Sequence, residues 1–324
     1  MKGYILRRIL YMIPLLIGVN LLTFSLFFIV NSPDDMARIQ LGSKHITQES
    51  IEIWKQQHGY DKPLFINNTE KFFNKIKDTI FYEKSLKLFV FDFGTSDTGR
   101  DITYDISQRM WPSLAIAVPS LLIGLFLNIS VALLIIFFRF SYLDTVGVVL
   151  CVIMMSISTL FYIIGGQYLI AKLLKLLPIS GYVPGIYLIK FLILPIFIGI
   201  LSGIGSGVRW YRTLFLEEIH KDYVRMARAK GLREFTILFK HILKNALIPI
   251  LTGVVILIPL LFLGSLLLES FFAIPGLGSY TIDAIQQQDF AIVRSMVFLG
   301  SFLYIVGLLL TDISYTVVDP RVRL

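Results

Sequence analysis

Residues 218–235 read EIHKDYVRMARAKGLREF, a basic stretch containing Ala and Gly between two long apolar segments. Two membrane spans can be joined by a few polar residues. Here the polar stretch runs from Gly207 to Ala246 and is patterned as amphipathic helix. Glu217 to Lys230 reads as one helix with acids in its first turn and bases in its last, which suits the helix dipole. Gly231 stands at the C′ position that favours a left-handed backbone. Arg225 and Arg228 share a face, while Ala227 and Ala229 are small enough for close approach by a partner. A second helix, Arg233–Asn245, leads back towards the membrane. Such an elbow fits a docking knob for a soluble subunit, or an interfacial helix drawn to anionic lipid. The residues alone leave both open.

The chain on either side is that of a membrane protein. Of its 324 residues, 56% are hydrophobic, above the usual share for a soluble domain, and they fall in runs rather than stripes. About 20 apolar residues in a helix cross a bilayer core. Six runs meet that length: Ile9–Val30, Pro112–Phe138, Thr145–Ile170, Gly185–Ser206, Leu247–Leu268 and Ile292–Val318. Gly165, Gly166, Pro178 and Lys190 blur the ends of the third and fourth, so five or seven spans are the alternatives. All must be helical, because lipid cannot satisfy open backbone groups. Pro14, Pro119, Pro195 and Pro259 mark kinks or close packing. The expected fold class is therefore an all-α membrane protein of about six transmembrane helices. It divides into residues 1–30 (cytosolic start and first span), 31–111 (an extracytoplasmic segment) and 112–324 (five further spans with the 207–246 elbow).

Basic residues beside span ends set the orientation. Lys2, Arg7 and Arg8 put the amino terminus in the cytosol, and six spans return the carboxyl terminus, with Arg321 and Arg323, to the same side. The elbow and Arg139 fall inside, while residues 269–291 on the outside hold no Lys or Arg. The net charge of +8 is thus topology plus one cytosolic patch, and a nucleic-acid partner is not called for. The amino-terminal run is too long for a signal peptide's apolar region, and NSPDDM shows no cleavage site. Cys151 lies inside the third run as a small packing residue, with no disulfide or metal cluster to join.

Outside the membrane, Tyr60–Pro63 signals a turn, residues 69–89 alternate Lys with apolar residues at helical spacing, and Phe91–Ser96 reads as another turn. Some eighty residues with few β-branched runs give a thin core, so segment 31–111 is expected to cap the outer mouth rather than fold alone.

Several chemistries are excluded or disfavoured. No phosphate-binding G-x-x-x-x-G-K-[ST] loop occurs, so the chain should not bind ATP itself. The four histidines lie outside the spans, which disfavours an intramembrane metalloprotease. No catalytic, cofactor-binding or metal-binding residue is assigned. Ion-coupled transporters carry several intramembrane acids or bases; here Asp312 sits within a span, with Glu269 and Asp144 near span ends. Asp312 reads as a packing or anchoring hydrogen bond, or as a residue on a substrate path. Pro275, Gly276 and Gly278 force an irregular turn at the outer face, either a gate or contact for a partner or a re-entrant turn that starts the last span.

DYVRMARAKGL followed by HILKNALIPI resembles the EAA-type coupling loop of binding-protein-dependent ABC importer permeases, in its peptide/nickel subfamily form. Counting back from Gly231, the generic E-A-A falls on Arg225, Met226 and Ala227, so the chain departs from the generic motif while fitting the subfamily's YVRxARAKG version; a generic Pro expected near Lys244 is replaced by Pro249. YILRRILYMIPLL, GYDKPL, FDFGTS, ISQRMWPSL, LLLESFFAIPGLG, QQDF and DISYTVVDPRV follow in the family's order across nearly the whole chain. FDFG and the carboxyl-terminal motif look most like the branch linked to microcin C and oligopeptide uptake.

The resemblance implies a type I ABC importer permease fold in the bacterial cytoplasmic (inner) membrane. It implies a second permease subunit, two cytosolic ATP-binding subunits that carry ATP and Mg, and an extracytoplasmic solute-binding protein as partners. Asp222, Tyr223, Arg225, Ala227, Arg228, Ala229, Lys230 and Gly231 would couple to the ATPases. Glu269, Pro275, Gly276, Gly278 and Asp312 are the translocation or gating candidates. A peptide cargo is favoured, with a nickel complex or peptide antibiotic open. A self-contained secondary transporter or channel, and a non-transporting scaffold, are the competing classes.

Overall fold

In the computed structural model the described residues are 2–42, 47–65, 67 and 77–318, with backbone alone described at 2–5 and 315–318. Arg321, Arg323, residues 69–76 of the expected 69–89 helix and the last residues of the carboxyl-terminal motif lie outside them.

Helix is the regular structure of the described residues, apart from one isolated antiparallel bridge, Thr95 to Asp101. In order they are α1 (Lys2–Ser25, continued by a π-helical turn Leu26–Val30), α2 (Pro33–Leu41), α3 (Gln48–His58), α4 (Ile80–Lys84), α5 (Ile102–Phe137), α6 (Tyr142–Ser156), α7 (Thr159–Gly166, continued as π-helix to Leu173), α8 (Leu188–Ile219), α9 (Asp222–Ala229), α10 (Glu234–Thr236), α11 (Leu243–Val255), α12 (Leu257–Leu260), α13 (Leu266–Phe271), α14 (Leu277–Gln286) and α15 (Phe290–Val318). A π-helical stretch, Ile237–Ile242, joins α10 to α11.

Five of these segments are long and apolar enough to cross a membrane: Leu6–Val30, Ile102–Phe137, Leu188–Ile219, Glu234–Phe271 and Phe290–Ser314. A sixth exists only if α6 and α7 count as one span, and they are bent by 88°. The third expected run, Thr145–Ile170, is therefore broken rather than one continuous helix. No proline causes the bend. Ile157 and Ser158 take extended backbone, and the Ser158 hydroxyl accepts the Leu160 N–H to start a new helix. The fifth expected span ends irregularly. The four-residue α12, which holds Pro259 with no N–H to give, and a 3-10 turn, Leu261–Leu263, lead to Gly264 at φ +67°.

The described residues of Met1–Arg109 and Tyr280–Leu309 form one compact unit. Its core joins Phe24 and Phe28 of the first span to Met36, Ile51, Trp54, Tyr60 and Ile80, with Phe290 packed against them. Segment 31–111 thus borrows its core from span ends, as its thin apolar content requires. A capping box between Ser32 and Asp35 starts α2, Asp34 pairs with Lys55 of α3 at 2.7 Å, and Lys62 bridges Asp78 and Glu83 at 2.8 and 2.6 Å. Only the short α4 and a 3-10 turn, Leu86–Val90, occupy the described end of the expected 69–89 helix.

The second unit comprises the described residues of Met110–Ser279 and Leu310–Leu324. Its largest core cluster runs from Ala132 of α5 through Val208, Tyr211, Phe215 and Ile219 of α8 to Val224 and Ala227 of α9, and on to Ile237, Leu238 and Ile242. Asp144 at the start of α6 takes Arg212 of α8 through Nε at 3.2 Å and a terminal nitrogen at 2.8 Å. The pair neutralises one of the acids near a span end and fixes the two helices together.

Candidate functional site

The elbow differs from the expected single helix Glu217–Lys230. α8 carries on past the apolar run to Ile219, so Glu217 and Glu218 close that helix rather than open the next. The chain breaks at His220 and Lys221, and α9 covers Asp222–Ala229 with only Asp222 as an acid in its first turn. Lys221 is extended, φ −71° and ψ 151°. Helical periodicity runs through the break without a visible fault, which is why sequence reading joined the two.

Glu218 holds the corner. Tyr223 Oη donates to its Oε2 at 2.6 Å, and Lys221 Nζ pairs with its Oε1. Burial, opposed by a hydrogen bond with Asn245 and reinforced by Glu218, pushes the Tyr223 phenol up to about 12, so it stays a neutral donor at any working pH. Neither Glu218 nor Asn245 was singled out in the sequence, because their partners lie across a helix break.

The far end is fixed as firmly. Gly231 has φ +73°. Its N–H donates to the Arg228 carbonyl at 2.9 Å, and the Leu232 N–H donates to the Ala227 carbonyl at 3.3 Å. These are the two bonds of a Schellman closure. Arg228 then clamps Glu234 at the start of α10 through Nε at 2.7 Å and a second nitrogen at 3.4 Å.

The predicted coupling residues therefore divide. Ala227 is buried with Val224 in the unit's core, so its small side chain serves approach by its own chain and not by a partner. Tyr223 and Arg228 are half-buried braces. Asp222, Arg225, Ala229, Lys230 and Gly231 are exposed. Met226, which sequence reading passed over, is 59% exposed and adds a flexible apolar contact to the basic surface.

A second assembly gathers Glu269 with Gly276 and Gly278. One Glu269 carboxylate oxygen accepts the N–H groups of Gly278 at 2.7 Å and Ser279 at 3.1 Å, and the other accepts that of Ser265 at 3.2 Å. The Leu277 N–H goes to the Ser113 hydroxyl at 2.8 Å. A Cβ at Gly276 would fall on the Glu269 carboxylate, and one at Gly278 would stand 2.7 Å from the Ser265 carbonyl oxygen. Pro275 is exposed on this turn. The turn opens α14 rather than the last membrane helix, which begins at Phe290. Asp312 is partly buried on α15.

Sequence reading also missed a cavity of about 370 Å³ between α5 and α8. Ser120, Gly124 and Asn128 line it from one helix, and Gly199, Gly203 and Gly207 from the other. A Cβ at Gly207 would run into Asn128, whereas one at Gly203 meets nothing within 4 Å. The four-residue glycine spacing was the available signal.

Residues 129–324 match the family described as "Binding-protein-dependent transport system inner membrane component". Residues 1–111 match its partner description, the amino-terminal part of such a membrane component. A putative peptide transport system permease protein of Brucella abortus (strain 2308) is 32% identical over 329 residues, covering 100% of this chain and 99% of that one. The oligopeptide transport system permease protein AppB of Bacillus subtilis (strain 168) is 30% identical over 334 residues, 100% of both chains. The dipeptide transport system permease protein DppB of the same organism is 28% identical over 326 residues, covering 100% of this chain and 99% of that one.

Proposed function

The chain belongs to the family of binding-protein-dependent transport system inner membrane components, and from that premise we propose that it passes peptides through the inner membrane as one permease subunit of an ATP-driven importer. Peptide as cargo rests on the curated relatives, whose names specify peptide, oligopeptide and dipeptide transport. A second permease completes the path, two cytosolic ATP-binding subunits drive it, and an extracytoplasmic binding protein delivers the cargo. Both termini and the elbow face the cytosol.

The observation that carries the coupling role is the construction of the elbow. α9 is only eight residues long, too short to hold itself as helix in water, yet it is fixed on three sides. Val224 and Ala227 sink into the core, Glu218 brackets its start, and Gly231 with the Arg228–Glu234 clamp closes its end. A stiff helix seated on the ends of α8 and α11 transmits displacement to both. Its exposed Arg225, Met226, Ala229 and Lys230 form the face offered to an ATP-binding subunit. Closure of the ATPases then moves α9, and rocking of the attached helices switches access. The glycine-lined face of α5 and α8 forms part of the path wall.

The experiment is affinity purification of the tagged full chain from native membranes, in detergent that preserves complexes, with partners identified by mass spectrometry. Recovery of a second permease and ATP-binding subunits is expected. The chain alone, or with copies of itself, would instead favour a self-contained transporter.

A further inference from the structure

Between the first and second spans, the structure holds a cavity of about 710 Å³, within the size range of small-molecule sites. Its walls are the turn 56–62 after α3, Lys84 of α4, and the turn 95–99. Its charged or titratable lining groups are His58, Tyr60, Asp61, Lys62, Lys84 and Asp97. Lys62 is already neutralised by Asp78 and Glu83, and Asp61 lies exposed. His58 is stacked on Trp54 with ring centres 4.2 Å apart, and its Nδ1 is 2.8 Å from the Trp54 carbonyl oxygen. That leaves one ammonium and one carboxylate without an ion-pair partner of their own. Lys84 Nζ rests over the Tyr60 ring, 5.2 Å from its centre. Among the described residues, Asp97 takes only neutral donors, Gln40 Nε2 at 3.0 Å on Oδ2 and the Phe290 backbone N–H. Its backbone N–H is tied to Asp289 at 3.1 Å, so the side chain is held in place.

We propose that this cavity binds a short zwitterionic peptide, its ammonium at Asp97 and its carboxylate at Lys84. The peptide class rests on the transport reading above; the charge pattern does not. Neither group has a salt-bridge partner among the described residues, and burial works against the charge of each. Burial, then the neighbouring Asp289 carboxylate, push Asp97 up to about 6, against the pull of His58 and Arg294. Burial, then the Arg294 guanidinium, hold Lys84 below its usual range against the pull of Glu83 and of Asp97 itself. A ligand with both charges supplies what each lacks, and at a desolvated site each charge-assisted hydrogen bond gains strength. The cavity would hold peptide on the chain before it enters the membrane path.

Trp54 is the natural reporter, being 7% exposed and stacked on the lining His58. The full chain carrying Trp111→Phe and Trp210→Phe, in lipid nanodiscs, leaves it as the sole tryptophan. Titration with alanyl-alanine should give a saturable emission change. N-acetyl-alanyl-alanine amide should give none, and free alanine should bind at least about tenfold more weakly than the dipeptide. Lys84→Ala and Asp97→Asn should each weaken the dipeptide by about tenfold, the loss of one charge-assisted bond. No saturation, equal binding of the blocked peptide, indifference to both substitutions, or free alanine binding as tightly as the dipeptide would each overturn the proposal. ATP-driven peptide uptake measured in parallel separates the readings. Uptake without binding removes this site alone, whereas absent uptake with intact partners removes the transport reading.

Discussion

Tyr223 Oη donates a 2.6 Å hydrogen bond to Glu218 Oε2 across the break between the long α8 and the short α9. The same carboxylate holds Lys221, so one buried acid fixes the corner between the two helices. Removing that acid takes the charged acceptor from the half-buried Tyr223 hydroxyl, a loss of about 1.5–3 kcal/mol. Glu218→Ala should therefore reduce ATP-driven uptake at least about tenfold while the chain still inserts, and Tyr223→Phe should reduce it less. Uptake assays alongside membrane immunoblots check this. Full activity in Glu218→Ala would show that the corner need not be stiff.

Gly231 separates backbone from bulk. A Cβ there meets nothing within 4 Å, yet its φ is +73°. Substitution acts through conformation alone, about 1–2 kcal/mol for an ordinary residue. Gly231→Asn should stay near wild type, because Asn tolerates the left-handed region. Gly231→Val should lose most uptake and most recovery of ATP-binding partners, and Gly231→Asp should fall between them. The order of the three variants in one pull-down is the test.

Gly203 probes the path wall. It faces the α5–α8 cavity with open space beyond its Cα, so Gly203→Trp can fold and insert normally. Partner recovery should be unchanged and peptide uptake should fall at least about tenfold. Unchanged uptake would place the path elsewhere.

The elbow's existence was legible because charge and periodicity are local properties, and its Gly231 terminator was read correctly from residue type. Its inner and outer faces were not. Ala227 turns inward because α9 starts at Asp222 rather than Glu217, a shift set by Glu218 reaching over the break. The five long spans follow from run length. The bend after Ser156 does not, since Ile157 is as apolar as its neighbours and only the Ser158 cap marks the turn. Glu269 stood out as an acid near a span end. Its hold on the N–H groups of Ser265, Gly278 and Ser279 depends on a loop closing on itself, which no spacing rule encodes.

The outer segment should respond to pH through Asp97. Its folded-state pKa, raised to about 6 by burial and by Asp289, lies above the usual carboxylate value, so the folded state binds the proton more tightly. Stability should be greatest at the acid end and fall as pH rises from about 4 through 6. Asp97→Asn should flatten that dependence. Thermal unfolding of the purified chain in nanodiscs between pH 4.5 and 7.5 reads the slope, and a wild-type slope retained in Asp97→Asn would assign it to another group.

The central claim is that the exposed face of α9 is the seat of an ATP-binding subunit. Met226 is its large exposed apolar side chain, and Cys151 is the chain's one cysteine. A Cys151→Ala, Met226→Cys variant, treated in native membranes with a short thiol-reactive photocrosslinker, tests the claim directly. The account predicts one dominant adduct containing an ATP-binding subunit, lost in the added presence of Gly231→Val. A strong adduct with phospholipid and none with protein, in cells that still import peptide, would contradict it.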